Sequence, residues 1–144
     1  MARGVTKFHL DHVLVRMAKA SEPMAAMIAT QIQARAKVNI QRNGQIDTGF
    51  MLNSTYTVTK KASTFGQANQ SGDYTDKRGQ KVGRKLVRQA QLPSEALAAT
   101  AVGAEYAIWQ EERKPFLYPA CVEAAKDSGL KADAQKVFVE NLRD

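Results

Sequence analysis

Most of the residue types that covalent and metal chemistry rely on are scarce in this chain. It has one cysteine, Cys121, among 144 residues, so no internal disulfide can form. That suits a reducing compartment or assembly inside a cell. His9 and His12 are its only imidazoles. They flank Asp11 and share a face if the segment is helical, but a structural metal site takes about four ligands and the lone thiol lies far along the chain. The expectation is two ordinary surface histidines, with no metal and no cofactor. No apolar run approaches the roughly 20 residues of a membrane span, and the N-terminus lacks the apolar core of a signal peptide, so no membrane partner is expected.

Catalytic groupings are equally thin. Glu111 and Glu112 are adjacent, so on a helix they diverge by about 100° and do not face each other across a site. They read as a solvated or interface face. Gly79 and Gly83 lie near Lys81 and Lys85 without the spacing of a phosphate-binding loop. A hydrolase built on Glu111 or Glu112 with Tyr106 has no convincing base–nucleophile pairing behind it. The expected answer is a protein that is not an enzyme.

Positive charge is plentiful. The formal net charge is +7 and the pI near 9.7. Residues 1–50 carry +4 and residues 71–90 another +4, whereas 101–144 carry −2. Such a division suits a molecule with one face toward a polyanion and another toward protein. The densest stretch, Lys77 to Arg88, holds six cations: Lys77, Arg78, Lys81, Arg84, Lys85 and Arg88. Gly and Gln intersperse them and, after Tyr74, no aromatic interleaves with this cluster, which disfavours base stacking. Sequence-neutral phosphate contact, or contact with an acidic partner, remains open beside a merely solvated loop.

The hydrophobic pattern predicts an α+β fold in one domain, 1–144. Residues 7–19 are ambiguous between strand and short helix. Ser21-Glu22-Pro23 reads as the start of a long Ala-rich helix over about 21–42, ended by Arg42-Asn43-Gly44. From Ser54 a β-branched run places Tyr56 and Val58 on one face of a half-buried strand. Residues 62–94 read as a long flexible basic loop or an extended hairpin, and 96–103 as a second strand closed by Gly103. Three helices follow, over about 104–112, 117–127 and 131–142, the last with Val137, Phe138 and Leu142 inward. The sheet should be small and antiparallel. Trp109 reads first as core, with an oligomer interface shared with Phe116 and Tyr118 as the alternative.

Three patches, in this order, carry a resemblance. Thr48-Gly49-Phe50-Met51-Leu52-Asn53-Ser54 follows the long helix. Tyr106-Ala107 precedes Glu111. Pro115-Phe116-Leu117-Tyr118-Pro119-Ala120 opens a C-terminal helix. Together they resemble the tail-completion proteins of long-tailed bacteriophages, also called minor tail, neck or head–tail joining proteins. In that family a Thr-Gly-x-Leu-x-x-Ser turn starts the first strand, Tyr-Ala-x-x-x-Glu follows the last, and Pro-Phe-x-x-Pro-Ala begins the final helix. The matching positions are Thr48, Gly49, Ser54, Tyr106, Ala107, Glu111, Pro115, Phe116 and Pro119, within a resemblance spanning about residues 21–128. Met51 departs from the usual Leu, Leu52 from a usual basic residue, and Arg113 from a common Gly after the Glu.

The resemblance implies a structural virion subunit assembled in the host cytoplasm. It implies a hexameric ring that joins the tail tube to the neck and connector proteins and lets DNA pass, with transient sequence-neutral contact to that DNA. A sequence-neutral nucleic-acid-binding protein using the 77–88 segment is the competing expectation.

Overall fold

A computed structural model describes residues 3–45, 49–68 and 71–143, with the side chains of 3–16 and of residue 18 outside the description. The fold is the expected α+β arrangement. A helix α1 (Arg3–Arg42) is followed by a single-turn helix α2 (Phe50–Asn53), strand β1 (Thr55–Thr59) and a second single turn α3 (Phe65–Ala68). Strands β2 (Gly72–Thr75), β3 (Lys81–Lys85) and β4 (Ala98–Val102) come next, then helices α4 (Ala107–Arg113), α5 (Leu117–Lys126) and α6 (Ser128–Arg143). Two antiparallel pairs form, β1 with β4 and β2 with β3.

The start of α1 corrects the sequence reading. Ser21 is not an N-cap, because the 40-residue helix runs through Ser21-Glu22-Pro23 without a break. At about 1.5 Å per residue it is roughly 60 Å long. Pro23 cannot donate to the carbonyl one turn back, a loss of about 3 kcal/mol in an isolated helix. Tertiary packing prevails: α6 lies alongside, and Asn141 borders the same depression as Lys19, Glu22 and Pro23. The Ser21 hydroxyl turns inward along the helix and donates to Met17 O (2.7 Å). The other end is as expected. Gly44 adopts φ 70°, its N–H reaches Gln41 O (3.0 Å), and Gln45 N reaches Ile40 O (3.0 Å), a left-handed cap that suits glycine.

β1 also differs from a half-buried strand. Tyr56 packs edge-on against Phe65 (ring centroids 5.2 Å apart), while Thr55 and Thr57 on the opposite face are buried too. The threonines lie on α1. The Thr57 hydroxyl donates to Gln33 Oε1 (2.6 Å), Gln33 Nε2 donates to Thr55 O (3.3 Å), and the Thr100 hydroxyl of β4 donates to Ala29 O (2.8 Å). A polar seam between sheet and helix explains why alternation alone underestimated the burial.

α6 runs antiparallel to α1. Asp127 at its start meets Arg35, and Asn141 near its end reaches the level of Pro23. Leu130 and Ala134 are its deepest residues, whereas Val137, Phe138 and Leu142 are half-buried. Ser128-Gly129 does not separate α5 from α6 by a loop. Asp127 makes the corner, its carboxylate accepting from Leu130 N (3.0 Å) as an N-cap for α6.

Candidate functional site

The core lies where the resemblance patches meet. Ile40, Phe50, Met51, Val87, Ala107 and Phe116 pack together in one buried cluster. Gly49 opens α2 at φ 79°, the left-handed backbone that a turn from loop to helix requires here. Ser54 is fully buried and its hydroxyl donates to Met51 O (3.1 Å). Thr48, the first position of that motif, lies outside the described residues. Met51 is buried in the same cluster.

Glu111 has a local architectural task that its neighbours in sequence do not reveal. Its carboxylate accepts from three successive backbone N–H groups, Phe116 and Leu117 (2.9 Å each) and Tyr118 (2.8 Å). These are the otherwise orphaned donors at the start of α5, and negative charge there also suits the helix dipole. Pro119 falls in the first turn of α5, where a missing N–H costs little, and Pro115 stands exposed before it. The chain leaves α4 at Lys114 with φ −144°, so the turn after Glu111 proceeds without a glycine.

Polar groups from the end of α1 hold the same corner. Asn39 Nδ2 donates to Phe116 O (3.0 Å), Asn43 Nδ2 to Pro115 O (3.1 Å) and Gln45 Nε2 to Lys114 O (3.0 Å). Lys114 Nζ donates back to Asn43 O (2.9 Å). The sequence marks Asn43 only as part of the helix stop, and gives no sign of Asn39 or Gln45 in this role. Amides carry no spacing signal for partners some seventy positions away.

The interface residues divide. Phe116 is only 1% exposed and belongs to the core, which corrects its assignment to an oligomer contact. Trp109 is 67% exposed, with Ile108 at 64% and Tyr118 at 71%, which corrects the placement of Trp109 in the core. The cause is the short α4, whose buried contribution is Ala107. Its indole has no inner layer to enter.

Residues 72–85 form a hairpin. At its tip Asp76 Oδ1 accepts from Arg78 N (2.9 Å) and Gln80 N (2.8 Å), and Gly79 takes φ 81°. The base is anchored: Tyr74 packs edge-on against Phe50 at 5.0 Å, and Ser71 Oγ accepts from Val87 N (3.0 Å). The six expected cations are therefore not equivalent. Lys85 sits over Tyr106 (4.9 Å) and Phe50 (5.6 Å), and Arg88 pairs with Glu105. Lys77, Arg78, Lys81 and Arg84 are exposed along the outer hairpin, beside exposed Val82 and Leu86.

Cys121 is exposed on α5, yet its thiol is pushed above the usual range, chiefly by desolvation and further by the charge of Glu111. A thiol so held is a poor nucleophile near neutral pH. Among the described residues no group of His, Cys, Asp and Glu could hold a metal, and no helix is long and apolar enough to cross a membrane. No family model, curated protein or solved structure matches the chain.

Proposed function

We propose that the chain is a structural subunit of a long-tailed bacteriophage virion, a tail-completion or neck protein. It forms a ring that joins the tail tube to the head-proximal connector and lets DNA through. One observation carries the reading: the first resemblance patch lies about fifty residues before the other two, yet all three serve one corner. Glu111 caps the helix opened by Phe116, while Tyr106 (6.4 Å between ring centroids) and Phe116 pack with Phe50 of the turn that leads into β1. Residues that recur together in a family for architectural reasons are expected to interlock in this way.

The surface around that corner supports self-assembly. Ile108, Trp109 and Tyr118 stand out from it, and the basic hairpin emerges beside it. A ring subunit needs two unlike flanks for head-to-tail closure, and the exposed apolar group on α4 and α5 differs in kind from the basic hairpin. Disruption of the gene in a phage that carries it tests the proposal. Filled heads and finished tails should accumulate unjoined. Normal joining, with the protein missing from wild-type particles, refutes it.

The exposed cations of the hairpin favour a second reading, sequence-neutral nucleic-acid binding as the main task. The two readings differ in strength of binding. A lumen contact must release DNA in passage, whereas a dedicated binder holds it.

A further inference from the structure

We infer that β4 is a docking edge, and that its occupant is β3 of a second copy of this chain. The inference rests on the proposal that the chain assembles with itself. It begins with the hydrogen-bond pattern of the β1–β4 pair. Gly103 N donates to Ser54 O (2.8 Å), and the register pairs Tyr56 with Ala101, Thr57 with Thr100 and Thr59 with Ala98. Antiparallel pairs alternate between bonded and non-bonded, so the N–H and C=O groups of Ala98 and Thr100 point away from β1.

The two outer edges are treated differently. On β1, Thr57 N donates to Thr64 Oγ1 (2.8 Å) and Thr57 O accepts from Thr64 N (2.9 Å), so that edge is covered. On β4 no partner for Ala98 or Thr100 backbone is present among the described residues. Exposed edges are normally blunted with charge, proline or a bulge. Ala98-Ala99-Thr100-Ala101-Val102 has none of these, and its register is regular.

A groove of about 420 Å³ runs beside this edge, floored by Ile28 and Ile32 of α1 and walled by Leu117 and Cys121 of α5. It exists because a sheet two strands wide does not cover the helix beneath. An added strand would use the edge for backbone pairing and the groove for alternate side chains, as in β-strand addition.

Length, shape and charge point to β3 as that strand. It has five residues, as β4 does, and belongs to a two-stranded sheet, which is marginal alone. Val82 within it and Leu86 just beyond it are exposed apolar side chains. Lys81 and Arg84, exposed on β3, would meet an edge preceded by the acidic Glu95. The same copy cannot satisfy its own edge: Arg88 N is tied to Gly103 O (2.9 Å) and Lys85 lies over Tyr106, so β3 departs from the far end of β4. The result is a sheet of four strands shared between neighbours, a head-to-tail contact that repeats around a ring.

Single-cysteine proteins in a Cys121→Ser background test it. Ala98→Cys is mixed, under mild oxidation, with Val82→Cys, Arg84→Cys or Leu86→Cys at concentrations where the wild-type chain assembles. At least one mixture should give the crosslinked heterodimer in about tenfold excess over the homodimers, because pairing raises the local thiol concentration. Ala98→Pro, which removes an outward N–H at the first strand position, should abolish assembly while circular dichroism keeps the helical signal. Statistical proportions in all three mixtures, or wild-type assembly by Ala98→Pro, would overturn the pairing. Rings that persist in that case leave the ring proposal standing, whereas a chain that is monomeric at every concentration refutes both.

Discussion

Glu111 shows how a single side chain can organise a corner. Replacing it with Ala leaves three N–H groups at the start of α5 without their acceptor, and should cost about 1–3 kcal/mol in urea unfolding. Glu111→Gln keeps one acceptor oxygen and should lose less. Gly103 is a matter of space: a Cβ there would come within 2.3 Å of Val87 Cγ1 and 3.0 Å of Arg88 O. Gly103→Ala should destabilise by about 1–3 kcal/mol, with Val87→Ala in the same chain recovering part of the overpacking. Asp127 ties α6 to α1, and its carboxyl is held below the usual range, first by Leu130 N and then by Arg35. A lowered folded pKa stabilises above the unfolded value, and the gain is lost as pH falls through the folded one. The Tm gap between wild type and Asp127→Asn should therefore be widest near neutrality and shrink below about pH 4. None of these roles was legible in sequence. Glu111 caps a helix other than its own, and the local spacings that reveal a cap do not reach across α4 to α5.

Among the elements, the C-terminal end of α1, the β1–β4 pair and the order of the last three helices were legible, because periodicity and the Asn43-Gly44 stop are local signals. The beginning of α1 was not, since Ser21-Glu22-Pro23 has the local chemistry of a helix start and only packing against α6 overrides it. Pro23→Ala should then stabilise the fold by up to about 3 kcal/mol, measured by denaturant unfolding, by restoring the bond to Lys19 O. A neutral or destabilising outcome would mean that the helix needs the proline's shape at that contact. The hairpin was half legible: its charge was plain, but the division of cations between aromatic faces, an ion pair and solvent depends on where the arm folds. If it touches DNA, changing Arg78, Lys81 and Arg84 to Gln should flatten the salt dependence of binding. The log–log slope should fall by about one for each phosphate no longer neutralised. An unchanged slope removes the nucleic-acid reading of this arm.

For the whole molecule, the described parts form a helical platform with two small sheets, one seated on α1 and one reaching out as a basic arm. The surplus of positive charge sits mainly in the first fifty residues and the arm, and the acidic excess in the last forty-four. A chain built in this way gains by repeating: each copy offers an arm and, on our inference, an open edge to receive one. The resemblance patches then serve as the joint from which both project. They contribute architecture, with Glu111 capping α5, Phe116 buried, and Trp109 and Tyr118 exposed. The most direct test of the structural-subunit proposal is cryo-electron microscopy of intact particles from a phage encoding this chain. The account predicts a ring of its copies between the last tube layer and the connector, with α1 and the basic arms fitted as described. Density at that junction fully explained by other proteins, with this chain absent from the particle, would contradict it.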